Sequence, residues 1–172
     1  YHFRNIHHEL FPGADRYYTP FISPTAERVF TAREKREILP DITRGIPLVP
    51  QLLTRNAGDF LWAARSLADM GYEEVNLNLG CPSGTVVSKG KGSGMLRNPG
   101  DLDRFLEEIF AASPLPISVK TRLGLEKSEE FPAILEVLNR YPIQELTIHP
   151  RVRKQFYDGP VNMELFDFGV EH

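Results

Sequence analysis

The single cysteine, Cys81, lies in a sequence context that could expose a reactive thiol. Cys81 lies between Gly80 and Pro82 and directly follows the apolar and amide-containing run 76–79. Glycine permits a sharp turn at the end of a strand, and proline restricts the backbone of the residue before it. Most free cysteines are buried and inert, but the polar loop after Cys81 fits burial poorly. The pattern therefore predicts a thiol held at the mouth of a sheet.

Further polar side chains come where apolar runs end. They are Gln51, Asn78, Lys120, Arg122, His149 and Arg151. Glutamine and asparagine amides offer a ligand both donors and acceptors. Burying a lysine ammonium group costs free energy unless an anionic group lies beside it. We therefore expect Lys120 to meet either an anionic ligand or a carboxylate inside the protein. His149 alone would more often be structural.

Two basic clusters follow predicted strands. The first holds Lys89, Lys91 and Arg97, and the second holds Arg151, Arg153 and Lys154. We expect both to border one opening, where they could neutralise phosphates, although a solvated charged loop is the usual alternative. The segment 88–94 is rich in glycine but lacks the Walker A pattern. Because 23 acidic residues against 20 basic ones give a net charge of −3, a polyanion would have to be bound locally.

Apolar periodicity predicts alternating strands and helices. Strands are predicted at 17–22, 47–53, 74–79, 117–122 and 144–149. Phe3, Ile6, Leu10 and Phe11 form a helical stripe, and a helix over 56–70 has Asn56 as its N-cap and Gly71 at its end. Asn98 and Pro99 open the next helix, and we expect Ser128 to cap a further one.

The alternation predicts an α/β fold with a parallel sheet. Polar residues follow several different strands, which favours a (β/α)8 TIM barrel over a doubly wound sheet, where the site gathers at one switch point. Five predicted strands are too few for a closed barrel of about 250 residues. We therefore expect residues 1–172 to form a partial barrel of about strands two to six, with the first strand before Tyr1 and the last ones after His172.

Composition excludes some classes of site. The sequence has no run of 18 apolar residues, which argues against a membrane span. One cysteine rules out an internal disulfide and a cysteine-rich zinc site, and it suits a reducing cytoplasm. His7 and His8 are adjacent on a predicted helix and point in different directions, so no metal site is predicted.

The segment 76–99, NLNLGCPSGTVVSKGKGSGMLRNP, closely resembles the active-site segment of the tRNA-dihydrouridine synthase family. Three further segments resemble that family in the same order: VPQLL at 49–53, SVKTRLG at 118–124 and TIHPRVRKQFYDGP at 147–160. The first segment is highly specific. The other three would be weak alone.

The resemblance implies a (β/α)8 barrel that carries FMN, followed by a small helical domain that helps to bind tRNA. NADPH reduces the flavin, which then saturates the C5–C6 bond of a uridine. In this family the flavin delivers hydride to C6 and a cysteine, here Cys81, protonates C5. A thiol has an ordinary pKa of about 8.5 and is mostly protonated at neutral pH, so it can act as that acid.

The resemblance also assigns roles to individual positions. Gln51, Lys120 and His149 would contact FMN, and Asn78 would contact the uracil, although its amide could instead bond to neighbouring side chains. Arg151 would face the tRNA. Lys89, Lys91 and Arg153 are expected to bind phosphates there.

Two alternatives remain open at this stage. One is a flavin barrel that acts on free pyrimidines, as dihydropyrimidine and dihydroorotate dehydrogenases do. The other is a catalytically idle tRNA-binding fragment, because we expect the first strand, the late phosphate-binding strands and the helical domain to be absent. The basic clusters and the full segment around Cys81 favour tRNA. The joint presence of Gln51, Asn78, Cys81, Lys120 and His149 argues against a decayed origin.

Overall fold

A computed structural model describes residues 1–11, 13–43 and 45–172. The strands are β1 (Tyr17–Tyr18), β2 (Leu48–Val49), β3 (Gln51–Leu52), β4 (Val75–Leu79), β5 (Ile117–Arg122) and β6 (Leu146–His149). The helices are α1 (His2–Leu10), α2 (Ala32–Ile38), α3 (Pro40–Thr43), α4 (Ala57–Asp69), α5 (Gly84–Val87), α6 (Pro99–Ala112), α7 (Phe131–Leu138) and α8 (Met163–Glu171), with 3₁₀ turns at Gly92–Arg97, Ser128–Glu130 and Arg153–Gln155. No helix among these residues is long and apolar enough to cross a membrane.

The strands follow one another in sequence order, and every pair is parallel. β1 pairs with β2, and β3, β4, β5 and β6 are neighbours in that order. Pro50 separates β2 from β3, and a bridge from Ile22 to Leu52 extends the first strand beyond β1. A doubly wound sheet would reverse its order at a switch point. The sequential order is that of a barrel wall, so the predicted partial (β/α)8 arrangement is confirmed.

Alternation along β4 and β5 separates apolar from polar side chains. Val75, Leu77 and Leu79 share one buried cluster with Ile117 and Val119. The helices α4, α6 and α7 contribute to the same cluster, which therefore lies between the strands and the helices. Because successive strand side chains point to opposite faces, the intervening polar residues turn to the barrel interior.

Local signals for two helices are confirmed. The side chain of Asn56 accepts a hydrogen bond from the Asp59 N–H at the start of α4, and Gly71 follows that helix with a φ of +90°. The side chain of Asn98 accepts from the Gly100 N–H at the start of α6. Both caps satisfy N–H groups that would otherwise have no partner in the first turn.

The predicted cap at Ser128 is wrong. Ser128 begins a 3₁₀ turn and makes no capping hydrogen bond. The carboxylate of Glu130 instead accepts hydrogen bonds from the N–H groups of Leu125, Glu126 and Lys127, at 2.7–3.1 Å. These donors belong to the loop before the turn, so the Glu130 carboxylate holds that loop and does not cap α7.

The helix predicted from Phe3, Ile6, Leu10 and Phe11 exists as α1, with Phe11 just beyond its end. Its apolar stripe nevertheless faces solvent, and Phe3 is 74% exposed. Polar contacts hold the opposite face, where Arg4 donates a 2.6 Å hydrogen bond to Glu37 and Asn5 donates to the Ile42 carbonyl. The stripe therefore adds nothing to the core.

Replacing Leu77 by Ala should lower the free energy of unfolding by about 2–5 kcal/mol, because Leu77 is fully buried between the strands and the helices. Leu10→Ala is the matched control. Leu10 is 63% exposed, and the same truncation there should change stability by less than about 0.5 kcal/mol. Urea unfolding of both variants measures the two values, and equal losses would contradict the assignment of the core.

Candidate active site

A cleft of about 550 Å³ opens at the carboxyl ends of the strands. Its lining comes from β1 and the residues after it, from β3, from β4 and the turn after it, from β5, and from β6 and the loop after it. The lining residues are Tyr18, Thr19, Phe21, Gln51, Asn76, Asn78, Gly80, Cys81, Pro82, Lys120, Thr121, Arg122, Thr147, His149 and Tyr157. The structure thus brings together five of the predicted site residues: Gln51, Asn78, Cys81, Lys120 and His149.

Buried amides form a chain across the floor of this cleft. The Asn78 amide donates to the Gln51 side-chain oxygen at 2.7 Å, and the Gln51 amide donates to that of Asn76 at 2.8 Å. Asn76 in turn donates to the hydroxyl of Ser118 at 2.9 Å. Each amide nitrogen has a second N–H, so the chain fixes these groups while leaving them able to bond a ligand.

Asn78 also holds the turn that carries Cys81. Its side-chain oxygen accepts from the N–H of Gly80 at 3.0 Å and from the N–H of Cys81 at 2.9 Å. The alternative given above for Asn78, bonding to neighbouring groups, is therefore realised in the structure. Its contact with a uracil stays a prediction. The geometry sets Cys81, which is partly buried, at a fixed place on the rim.

Arg122 is a central residue for which the sequence suggested no role. It is only 1% exposed, and its guanidinium donates to the carbonyls of Gly80 at 2.8 Å, Phe156 at 2.7 Å and Val152 at 3.2 Å. The ring of Tyr157 lies 5.4 Å from the guanidinium carbon. Arg122 therefore ties the cysteine turn to the loop after β6. Backbone carbonyls leave no mark in a sequence, so the sequence indicated only that Arg122 lies at a strand end and not what it binds.

Positive charge collects in the cleft without a carboxylate to balance it. None of the lining residues is acidic in the part of the chain that the structure describes. Burial, and then the nearby Arg122, lower the pKa of Lys120. Burial also lowers the pKa of Arg122. A partly dehydrated set of cations of this kind favours an anionic ligand.

The positive charges of the cleft also affect the protonation of His149. Burial first, and then the charges of Arg122, Lys120 and Arg151, lower the pKa of His149 to about 4. The imidazole is therefore neutral at neutral pH. A guanidinium nitrogen of Arg151 lies 3.2 Å from its Nε2 atom, which fits a neutral ring that accepts a hydrogen bond there.

The two basic clusters have different positions. Arg151 contacts His149 and donates to the Gly159 carbonyl, and Arg153 donates to the Pro82 carbonyl at 3.2 Å. Both residues thus touch the lining of the cleft. Lys89 and Lys91 are not part of that lining, and Arg97 lines a separate cleft of about 500 Å³. Arg151 and Arg153 are likewise outside the lining but contact residues that belong to it, whereas Lys154 pairs with Glu126. That both clusters border one opening stays a prediction.

The described ranges contain no group of three or more histidine, cysteine, aspartate or glutamate side chains arranged to hold a metal ion. This finding concerns residues 1–11, 13–43 and 45–172 only.

Comparison with known proteins gives a family match along nearly the whole chain. Residues 1–165 match the sequence model of the family described as dihydrouridine synthase. A probable tRNA-dihydrouridine synthase of Rhodobacter capsulatus is 35% identical over 123 residues, and proteins of the same description from Staphylococcus aureus and Staphylococcus epidermidis are 35% identical over 121 residues. The alignments cover 69–70% of this chain and 37% of each relative. The matched part is thus little more than a third of the length of these relatives.

The site geometry predicts an unusual titration for His149. Its imidazole should titrate near pH 4 in ¹⁵N–¹H NMR spectra, because burial and three cations oppose protonation. Arg151→Ala removes one of those cations and should move the midpoint upward. Lys154→Ala is the control, since Lys154 pairs with Glu126 instead and should leave the midpoint unchanged.

The same pKa has a consequence for stability. Histidine in the unfolded chain takes up a proton near pH 6.5, whereas folded His149 does so only near pH 4. Stability should therefore fall as pH drops from about 6.5 toward 4 and gain nothing from His149 above that range. A midpoint near 6.5 for His149 would contradict the described surroundings.

Proposed function

Because the chain belongs to the dihydrouridine synthase family, we propose that the protein reduces the C5–C6 double bond of a uridine in tRNA, with FMN as its cofactor and NADPH as its reductant. The observation that carries this proposal is the position of Cys81. Its thiol-bearing turn borders a cleft with cations, amides and no carboxylate in its described lining. The printed description of the relatives, probable tRNA-dihydrouridine synthase, supports the same substrate.

The residues of the cleft fit a flavin. Lys120 makes no hydrogen bond or ion pair with any carboxylate among the described residues. The anionic edge of a reduced flavin would offset the cost of burying its ammonium group. Gln51 would bond to the ring through its free amide N–H, and neutral His149 would complete the binding set. When bound and reduced, FMN supplies a hydride for C6 of the base.

Asn78 and Cys81 would act on the uridine. Asn78 retains an N–H that is able to bond a uracil oxygen. Cys81 would donate its thiol proton to C5, and the resulting thiolate would recover a proton from water. One hydride and one proton together saturate the bond, and a positioned acid of this kind contributes about 10²–10⁴-fold to a rate.

Local basic residues would hold the tRNA. Arg151 and Arg153 use some N–H groups to bond backbone carbonyls and have others that can bond phosphate. Lys89 and Lys91 would add contacts farther from the cleft. With a net charge of −3, binding depends on these positions and not on the charge of the whole chain. A tRNA substrate and a lone free thiol accord with a cytoplasmic location.

Replacing Cys81 by Ala should separate the two halves of the reaction. In the full-length protein, reduction of the flavin by NADPH should stay nearly intact, because that step needs no acid at C5. Oxidation of the reduced flavin by tRNA should slow by about 10²–10⁴-fold. Stopped-flow absorbance follows each step.

Cys81→Ser should be similarly poor or intermediate, because a hydroxyl is a much weaker acid than a thiol. Ser83→Ala is the control on the same loop. Among the described residues the Ser83 hydroxyl bonds only to the Thr85 hydroxyl, and at the start of α5 it makes no capping hydrogen bond, so both steps should be unchanged. If Cys81→Ala oxidises flavin at the wild-type rate, Cys81 is not the acid. If both steps collapse, its role is structural.

A second prediction concerns the tRNA. Arg151→Ala and Arg153→Ala should weaken binding and flatten its dependence on salt by about one unit for each lost phosphate contact. Arg140→Ala is the control, because Arg140 pairs with Asp103 and Glu136 at the outer helices. Fluorescence anisotropy at several salt concentrations measures the slopes. If the salt dependence of binding is unchanged in the first two variants, Arg151 and Arg153 belong to a solvated loop that does not contact phosphate.

A further inference from the structure

The glycine-rich segment after α5 folds back onto Cys81. Gly92 has a φ of +57°, and a Cβ atom there would lie 2.9 Å from the Cβ of Cys81 and 3.0 Å from its carbonyl oxygen. A Cβ on Gly94 would lie 2.8 Å from the carbonyl oxygen of Val87. Contacts this short exclude any side chain. The two glycines therefore allow the backbones to approach closely.

Ser93 stands between these glycines and reaches the cysteine directly. Its side chain has 0% exposure. Its hydroxyl donates to the carbonyl oxygen of Cys81 at 2.8 Å, and its N–H donates to the same oxygen at 3.2 Å. At the other end of the residue, the Cys81 N–H donates to Asn78. Both backbone polar groups of Cys81 are thus restrained.

We propose that Ser93 is a positioning residue for Cys81. Its hydroxyl fixes the backbone from which the thiol projects, and the flanking glycines bring that hydroxyl within reach. This inference rests on the proposed function insofar as it concerns catalysis, since it assumes that the direction of the thiol matters. The restraint on Cys81 itself follows from the contacts alone.

Loss of the hydroxyl has a definite physical consequence. In Ser93→Ala, the Cys81 carbonyl keeps only the longer bond from the residue 93 N–H. The turn then opens more often, and the thiol samples more directions. The expected increase in the open population is about fivefold, which is the effect of one ordinary hydrogen bond.

Alkylation of the thiol measures this restraint without any catalytic assay. The chain has a single cysteine, so the iodoacetamide adduct on the peptide that contains Cys81, measured by mass spectrometry, reports on this thiol. Ser93→Ala should be alkylated about fivefold faster than wild type. Ser113→Ala is the matched control, because the Ser113 hydroxyl also donates to a carbonyl at 2.8 Å, that of Leu115, away from the cleft. An unchanged rate in Ser93→Ala, or an equal increase in both variants, overturns the inference.

A conservative variant separates the hydroxyl from simple packing. Ser93→Thr keeps the donor and adds a methyl group, so its alkylation rate should stay within about twofold of wild type when urea unfolding shows that it is folded. If folded Ser93→Thr is alkylated as fast as Ser93→Ala, the hydroxyl is not the restraint. If the threonine variant does not fold, the comparison of Ser93→Ala with Ser113→Ala decides.

The two half-reactions then connect the restraint to catalysis. Ser93→Ala should leave flavin reduction by NADPH unchanged and slow flavin oxidation by tRNA by about fivefold or more, with the same direction as Cys81→Ala. If Cys81→Ala has no effect on either step, Cys81 is not the acid. The alkylation rates still test whether Ser93 restrains Cys81. If Cys81→Ala is slow and Ser93→Ala matches wild type in both assays, the proposed function stands and the role of Ser93 is refuted.

Discussion

Burial of apolar side chains from β4 and β5 beneath α4, α6 and α7 is the interaction on which the cleft depends. Leu77 and Val119 belong to one cluster with residues of these helices, and the free energy gained is about 25 cal/mol for each Å² removed from water. Once these residues face outward, the pleat obliges Asn76, Asn78 and Lys120 to face inward. The same packing that stabilises the wall thus gathers polar groups inside it.

A polar interior raises the question of how its charges are tolerated. The parallel register places Asn78 beside Lys120 and Arg122 beside His149. Amides satisfy one another along the floor, and Arg122 is satisfied by backbone carbonyls. The charge itself remains without a carboxylate in the described lining. An anionic ligand is the physical complement of such an interior, and the proposed flavin and phosphates have that charge.

The cysteine turn has restraints from three directions. Asn78 bonds to its N–H groups, Ser93 bonds to the Cys81 carbonyl, and Arg122 bonds to the Gly80 carbonyl. Each bond alone contributes modestly. Together they define where the thiol stands relative to the cleft, and they link that position to the loop after β6. Proton donation requires such geometry before it requires any particular acidity.

The sequence by itself determined the features that depend on neighbours along the chain. The caps at Asn56 and Asn98, the stop at Gly71, the alternation of strands with helices and the turn around Cys81 all arise within a few residues, and they also indicated the family. Tertiary structure alone decided the others. The hydroxyl of Ser93 and the guanidinium of Arg122 act on carbonyls 12 and 42 residues away, and carbonyls are identical at every position.

Contacts between distant or unexpected partners account for the remaining differences. Ser128 makes no capping hydrogen bond, and the Glu130 carboxylate accepts from three N–H groups of the loop before it. The stripe on α1 has the period of a buried face, yet Arg4 and Asn5 find polar partners and leave it exposed. Lys89 and Lys91 follow a strand in sequence, but neither belongs to the lining of the cleft. A one-dimensional pattern specifies which face a residue occupies, whereas packing in three dimensions decides what meets that face.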